Sequence, residues 1–100
     1  MILEDKFTNT TDEEIISRVL GGDVALFELL VRRNNPYIYK TGRSFGFNHE
    51  DVEDLMQEAH VSAYLNLAKF EGRSAYRTWL VRIMINLCNQ KTQNSSFKKE

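Results

Sequence analysis

The chain has 100 residues, with 13 Lys+Arg against 14 Asp+Glu, one proline, five glycines and one cysteine. That length fills a single small domain with little stability to spare and excludes a two-domain machine. No apolar run approaches the roughly 20 residues of a membrane span, the start MILEDKFTNT is acidic and polar, and Cys88 has no partner thiol, so a soluble, cytoplasmic chain without disulfide or metal is expected.

Long helical periodicities and the absence of alternating valine or isoleucine runs predict an all-α fold, a compact bundle of about four helices. Residues 1–10 carry no periodicity and read as a loose tail. Thr11 with Glu14 forms the sequence pattern of a capping box, and Ile15, Ile16, Val19 and Leu20 give the first helix an apolar side before Gly21-Gly22 ends it. Asp23 is then the expected cap of a second helix, in which Val24, Phe27, Leu30, Val31 and Ile38 repeat at helical spacing. Pro36 should bend this helix, and Gly46 closes it. Asn48 caps a third helix with Val52, Leu55, Met56, Ala59 and Ala63 inward.

The near-zero net charge conceals two poles. Residues 1–60 hold 6 Lys+Arg against 12 Asp+Glu, and residues 61–100 hold 7 against 2. Opposite local fields suggest partners of opposite sign. In the third helix Glu50, Asp51, Glu53, Asp54 and Glu58 occur without a lysine or arginine among them, and Asp51, Asp54 and Glu58 fall within about 60° of one another, flanked by Gln57. Beyond the first turn such unpaired carboxylates are mildly unfavourable, which points to an acidic ridge that binds a partner. A carboxylate-metal enzyme is the remote alternative. It would draw on Asp51, Asp54, Glu58 and His60, but His60 lies two residues after Glu58 and so about 200° away around the helix.

Between Phe70 and Gln90 the chain runs FEGRSAYRTWLVRIMINLCNQ. A loop carries Phe70, Gly72, Arg73 and Ser74, with Ser74 as the expected N-cap of the last helix. On that helix Tyr76, Trp79, Leu80, Ile83 and Leu87 form an apolar arc, and Thr78, Arg82, Asn86, Asn89 and Gln93 line the other side. Lys69, Arg73 and Arg77 are interleaved with Phe70, Tyr76 and Trp79, the mixture of cations and flat rings that single-stranded nucleic acid binding uses. Trp79 reads as a core anchor, and Cys88 as a small buried or half-buried helix residue. After Gln90 the polar KTQNSSFKKE loses its periodicity, and from residue 93 it reads as a frayed helix end or the start of a linker.

The succession DVEDLMQEAHVSAYLNLAKFEGRSAYRTWLVRIMINL resembles the helical domain of bacterial sigma factors that binds the minus-ten promoter element, and within it the extracytoplasmic-function group. The family pattern is matched by Asp51, Asp54, Leu55, Gln57 and Glu58, then by Phe70, Gly72, Ser74 and Tyr76, then by Thr78, Trp79, Leu80, Arg82, Ile83 and Asn86. His60, Val81 and Ile85 depart from it. The likeness spans about residues 11–92. It implies that Asp51, Asp54, Leu55, Gln57 and Glu58 dock on the clamp helices of the β-type largest subunit of RNA polymerase core. It also implies a pocket at Phe70, Gly72, Arg73, Ser74, Ala75 and Tyr76 for a turned-out base of the non-template promoter strand, with Lys69, Arg77, Thr78, Arg82, Asn86 and Lys91 nearby for phosphates and base edges. No catalysis and no cofactor are implied, and an anti-sigma factor is an expected partner. The alternative is a helical protein-interaction module that does not touch DNA.

Overall fold

A computed structural model describes residues 6–99, with side chains through residue 94. Among these residues four α-helices follow one another with no strand: α1 (Asp12–Leu20), α2 (Phe27–Ser44), α3 (His49–Leu65) and α4 (Tyr76–Lys99). Short 3₁₀ turns precede α2 (Val24–Leu26) and follow α3 (Leu67–Lys69). The all-α bundle is as the periodicities predict.

The capping box forms as read. Glu14 N–H donates to Thr11 Oγ1 at 3.1 Å, and the Glu14 carboxylate accepts from the Thr11 N–H. Asn48 Oδ1 accepts from the Asp51 N–H at 2.9 Å and starts α3 in the same way. Asp23, by contrast, makes no side-chain cap, because its carboxylate is drawn to Arg18 at 3.1 Å. Val24, expected inward, is 53 % exposed. Pro36 sits inside α2 on its exposed side without ending it, since Asn34 and Ile38 on the opposite side are buried to 0 % exposure and hold the helix to the bundle.

α2, α3 and α4 pack on one another, and α1 lies against α2. They meet at Gly42, where an added Cβ would come within 2.8 Å of Val52 Cγ1 and 3.1 Å of Met84 Cε. Only a missing side chain lets α2 approach both neighbours so closely. The core is filled by Ile15, Leu30, Ile38, Val52, Ala59, Leu80 and Met84, together with Cys88, whose thiol is pushed up by burial.

Two expectations at the ends change. Residues 1–5 and 100 lie outside the described residues. Residues 6–10 are not a loose tail, for Phe7 is buried and the carbonyls of Phe7 and Thr10 accept from Arg33 at 2.6 Å each. At the other end α4 continues to Lys99, past the point where periodicity is lost, because lysine and glutamine are good helix formers whether or not an apolar stripe continues.

Candidate functional site

The loop between the second 3₁₀ turn and α4 is built on three rings. Phe70 lies 5.1 Å from Trp79 and 6.0 Å from Tyr76, and Tyr76 lies 5.8 Å from Trp79. Tyr76 is the root of this cluster; it has no exposed surface and stands at the wall of the cavity beside Ala75 and Arg77 with its ring packed, not presented to a base as expected. Burial and, to a lesser degree, the charge of Asp12 push its hydroxyl far above the usual range. Phe70 and Trp79 remain half-buried. Trp79 is the anchor that the apolar arc predicts. Gly72 turns the loop at φ 73°, a left-handed conformation with open space around it, so glycine is required here by backbone geometry and not by crowding.

The cations above the rings differ in how they are held. Lys69 is exposed, and among the described residues Arg73 pairs only with Glu71 at 3.1 Å, the two side chains 86 % and 67 % exposed. Ser74 does not cap α4; its hydroxyl donates to the Ala75 carbonyl. The capping group comes from α1, where Glu13 Oε2 accepts from the Tyr76 N–H at 3.2 Å across 63 residues of chain. A carboxylate at this end also suits the helix dipole. Arg77 Nε donates to Asn34 Oδ1 at 3.0 Å, and its guanidinium lies 3.6 Å from the centre of the Tyr37 ring. A cavity of about 490 Å³ opens here between Thr8, Asp12, Glu13 and Arg33 on one side and Ala75, Tyr76 and Arg77 on the other.

Thr78, Arg82, Asn86 and Asn89 are all exposed, one turn apart, as the helical wheel predicts. Lys91, expected with this set, lies elsewhere. Its Nζ is 3.9 Å from Asp51 Oδ1, and it is 14 residues beyond Arg77, roughly 20 Å along the helix at about 1.5 Å per residue. A long cation facing an acidic helix is drawn to it.

On α3, Asp54, Gln57 and Glu58 are exposed and Asp51 is half-buried, but Leu55 is 5 % exposed and belongs chiefly to the core. His60 is 8 % exposed, with Nε2 2.7 Å from Asn35 Oδ1, while Glu58 faces solvent, so the two do not converge. Burial lowers the His60 pKa, partly opposed by the charge of Glu28. A groove of about 900 Å³ runs beside the acidic ridge, floored by Leu55 and Leu87 and edged by Asp54, Glu58, Val61 and Leu65. Val61 and Leu65 are 59 % and 73 % exposed. Sequence reasoning missed this apolar strip, although a Val and a Leu four residues apart, next to the carboxylates, carried the signal.

The family model described as Sigma-70 region 2 matches residues 30–95. The RNA polymerase sigma-H factor of Pseudomonas aeruginosa is 38 % identical over 79 % of this chain and 41 % of its own length. The ECF RNA polymerase sigma-E factor of Escherichia coli K12 is 42 % identical over 76 % of this chain and 39 % of its own. The chain thus spans about two fifths of the length of these relatives. An NMR structure of an engineered region 2 of sigmaE in complex with GTAAAA superposes with a TM-score of 0.80 at 31 % identity, covering 90 % of this chain and 94 % of that one. On these grounds the chain belongs to the Sigma-70 region 2 family, beside the ECF sigma factors.

Proposed function

We propose that this chain is the domain of an ECF-type sigma factor that docks on RNA polymerase core and recognises and stabilises the melted minus-ten promoter element. The observation that carries the reading is the exposed stripe Thr78, Arg82 and Asn86 leading out of an exposed cationic loop, on a fold shared with a sigmaE region 2 solved in complex with GTAAAA. No bond is made or broken in such a function. Turning a base out of the stack costs a few kcal/mol, and each base received on a protein surface returns about 1–3 kcal/mol, so the protein traps the opened strand. Asn86 reads a base edge, since its amide donates and accepts together, and Lys69, Arg73, Arg77 and Arg82 meet the backbone.

The acidic ridge of Asp51, Asp54, Gln57 and Glu58 docks on the polymerase clamp helices, with Val61 and Leu65 supplying apolar contact beside it. An apolar strip rimmed by carboxylates suits a protein partner and not DNA, which also favours an anti-sigma factor competing for this face. The work takes place in the cytoplasm, and no helix among the described residues is long and apolar enough to cross a membrane. Fluorescence anisotropy with labelled single-stranded GTAAAA tests the DNA half. We expect it to bind several-fold tighter than a scrambled hexamer or the duplex, with affinity falling as salt rises. Equal binding of the scrambled strand defeats the claim of sequence recognition.

A further inference from the structure

Of the cations around the start of α4, Lys69, Arg73, Arg77 and Arg82, only Arg77 is held by another helix among the described residues. We propose that Asn34 and Tyr37, both on α2, are positioning residues that fix the aim of Arg77 toward the bound strand, which extends the DNA-binding apparatus onto a helix that carries none of the expected contacts. This rests on the strand-binding reading above.

Asn34 has no exposed surface, and both polar atoms of its amide are hydrogen-bonded. Nδ2 donates to Asp12 Oδ2 at 3.2 Å and to the Leu30 carbonyl at 2.9 Å, while Oδ1 accepts from Arg77 Nε. Turned over, the amide would set its oxygen against a carboxylate and a carbonyl, and its NH₂ against the Arg77 N–H. The orientation is therefore fixed by its surroundings. Asp12 is itself pinned, because Arg33 pairs with its Oδ1 at 3.2 Å and donates to the Phe7 and Thr10 carbonyls. Three residues along α2 from Asn34, and so on the same face, Tyr37 presents its ring to the guanidinium plane.

Asn34 thus holds one edge of Arg77 and Tyr37 one face. The terminal nitrogens Nη1 and Nη2 donate no hydrogen bond to the described residues, which leaves the paired donors that match a phosphate. A long side chain ordered before binding loses less freedom on binding than one that must be ordered by its ligand. Arg73, tethered only within its own loop, lacks that advantage.

A double-mutant cycle on single-stranded GTAAAA tests the assignment, with polymerase clamp-helix capture as the control for folding. Arg77→Met is expected to weaken the oligonucleotide about tenfold, Asn34→Leu about fivefold and Tyr37→Ala about threefold, all without loss of capture. In the Arg77→Met background neither α2 change should weaken it further. Should Tyr37→Ala weaken binding equally with and without Arg77, Tyr37 touches the strand itself and the positioning role is wrong. No effect of Tyr37→Ala on the wild-type background is equally damaging. Tyr37 is 43 % exposed, so this variant keeps its fold even if Asn34→Leu does not. NMR exchange of the Arg77 Nε proton supplies a readout free of DNA. Exchange much slower than at Arg73 supports the Asn34 bond, and equal exchange overturns it. A wild-type chain that ignores GTAAAA would sink the strand-binding reading, while the exchange rates would still decide whether Asn34 holds the guanidinium.

Discussion

The acidic ridge and the cationic loop sit at opposite ends of α4 and are built in different ways. On the ridge, Asp51, Asp54 and Glu58 are placed by the repeat of one helix, started by its own Asn48 cap and turned outward because Val52, Leu55, Met56 and Ala59 turn inward. Lys91 is the single side chain from elsewhere that pairs with it among the described residues. The loop owes its form to distant groups: Glu13 on the first amide of α4, Asn34 on Arg77, and Trp79 and Tyr76 beneath Phe70. The proposed docking face, made from one rigid helix, needs no support to keep its shape. The proposed strand-binding loop, rich in polar backbone, does, and takes it from α1, α2 and α4.

Tyr76 gives the sharpest way to break this contrast. Tyr76→Ala removes a ring with no exposed surface and is expected to cost about 3–5 kcal/mol, a large part of the roughly 5–15 kcal/mol that holds a domain this size together. Both oligonucleotide binding and clamp-helix capture should fall with the melting temperature. If calorimetry showed an intact fold that had lost only the oligonucleotide, the loop would be an independent appendage. Tyr76→Phe is the companion. The hydroxyl is buried without a hydrogen-bond partner among the described residues, so its removal should leave stability unchanged or raise it slightly.

Next in size is Asp54→Lys, which tests whether the two ends work separately. Asp54 is exposed, so the variant should keep its circular dichroism spectrum and its affinity for GTAAAA, and lose capture by clamp helices at least about tenfold through like-charge contact. Unchanged capture would remove the ridge from the interface. Loss of oligonucleotide binding as well would mean that the two surfaces are coupled.

The same contrast explains what the sequence made legible. The capping box of α1, the Asn48 cap, the inward rows and the outward carboxylates of α3, and the Thr78, Arg82 and Asn86 stripe all depend on spacing within one helix, which is visible in a string of letters. Ser74 looked like the cap of α4 because it stands at the right spacing, but Glu13 does the work from 63 residues away. Asn34 drew no reading from its spacing, and is a buried bridge from Asp12 to Arg77. Tyr76 was read both as apolar arc and as pocket wall, and it is packed with the arc while bordering the cavity beside Ala75 and Arg77. Lys91 matched the cations by type, although one helix separates it from them by several turns.

The smallest expected effect concerns Arg73, a loop cation that no other element among the described residues steadies. Its ion pair with Glu71 lies in solvent, where such pairs contribute about 0–1 kcal/mol, so Glu71→Gln should leave the melting temperature within about 1 °C of wild type. Its influence on binding should nonetheless be measurable. Glu71 places a negative charge 3.1 Å from the guanidinium that a phosphate would approach, and a strand must displace that partner and face its charge. Removing the charge should tighten single-stranded GTAAAA about twofold to threefold at low salt, with the gain shrinking as salt screens it. The equivalent gain should be absent in an Arg73→Gln background if the carboxylate acts through its partner, and should persist if it repels the strand as a whole. A loss of affinity on Glu71→Gln would mean that the pair shapes the loop, and the contrast between a self-supporting ridge and a loop held from outside would then need Glu71 among the supports.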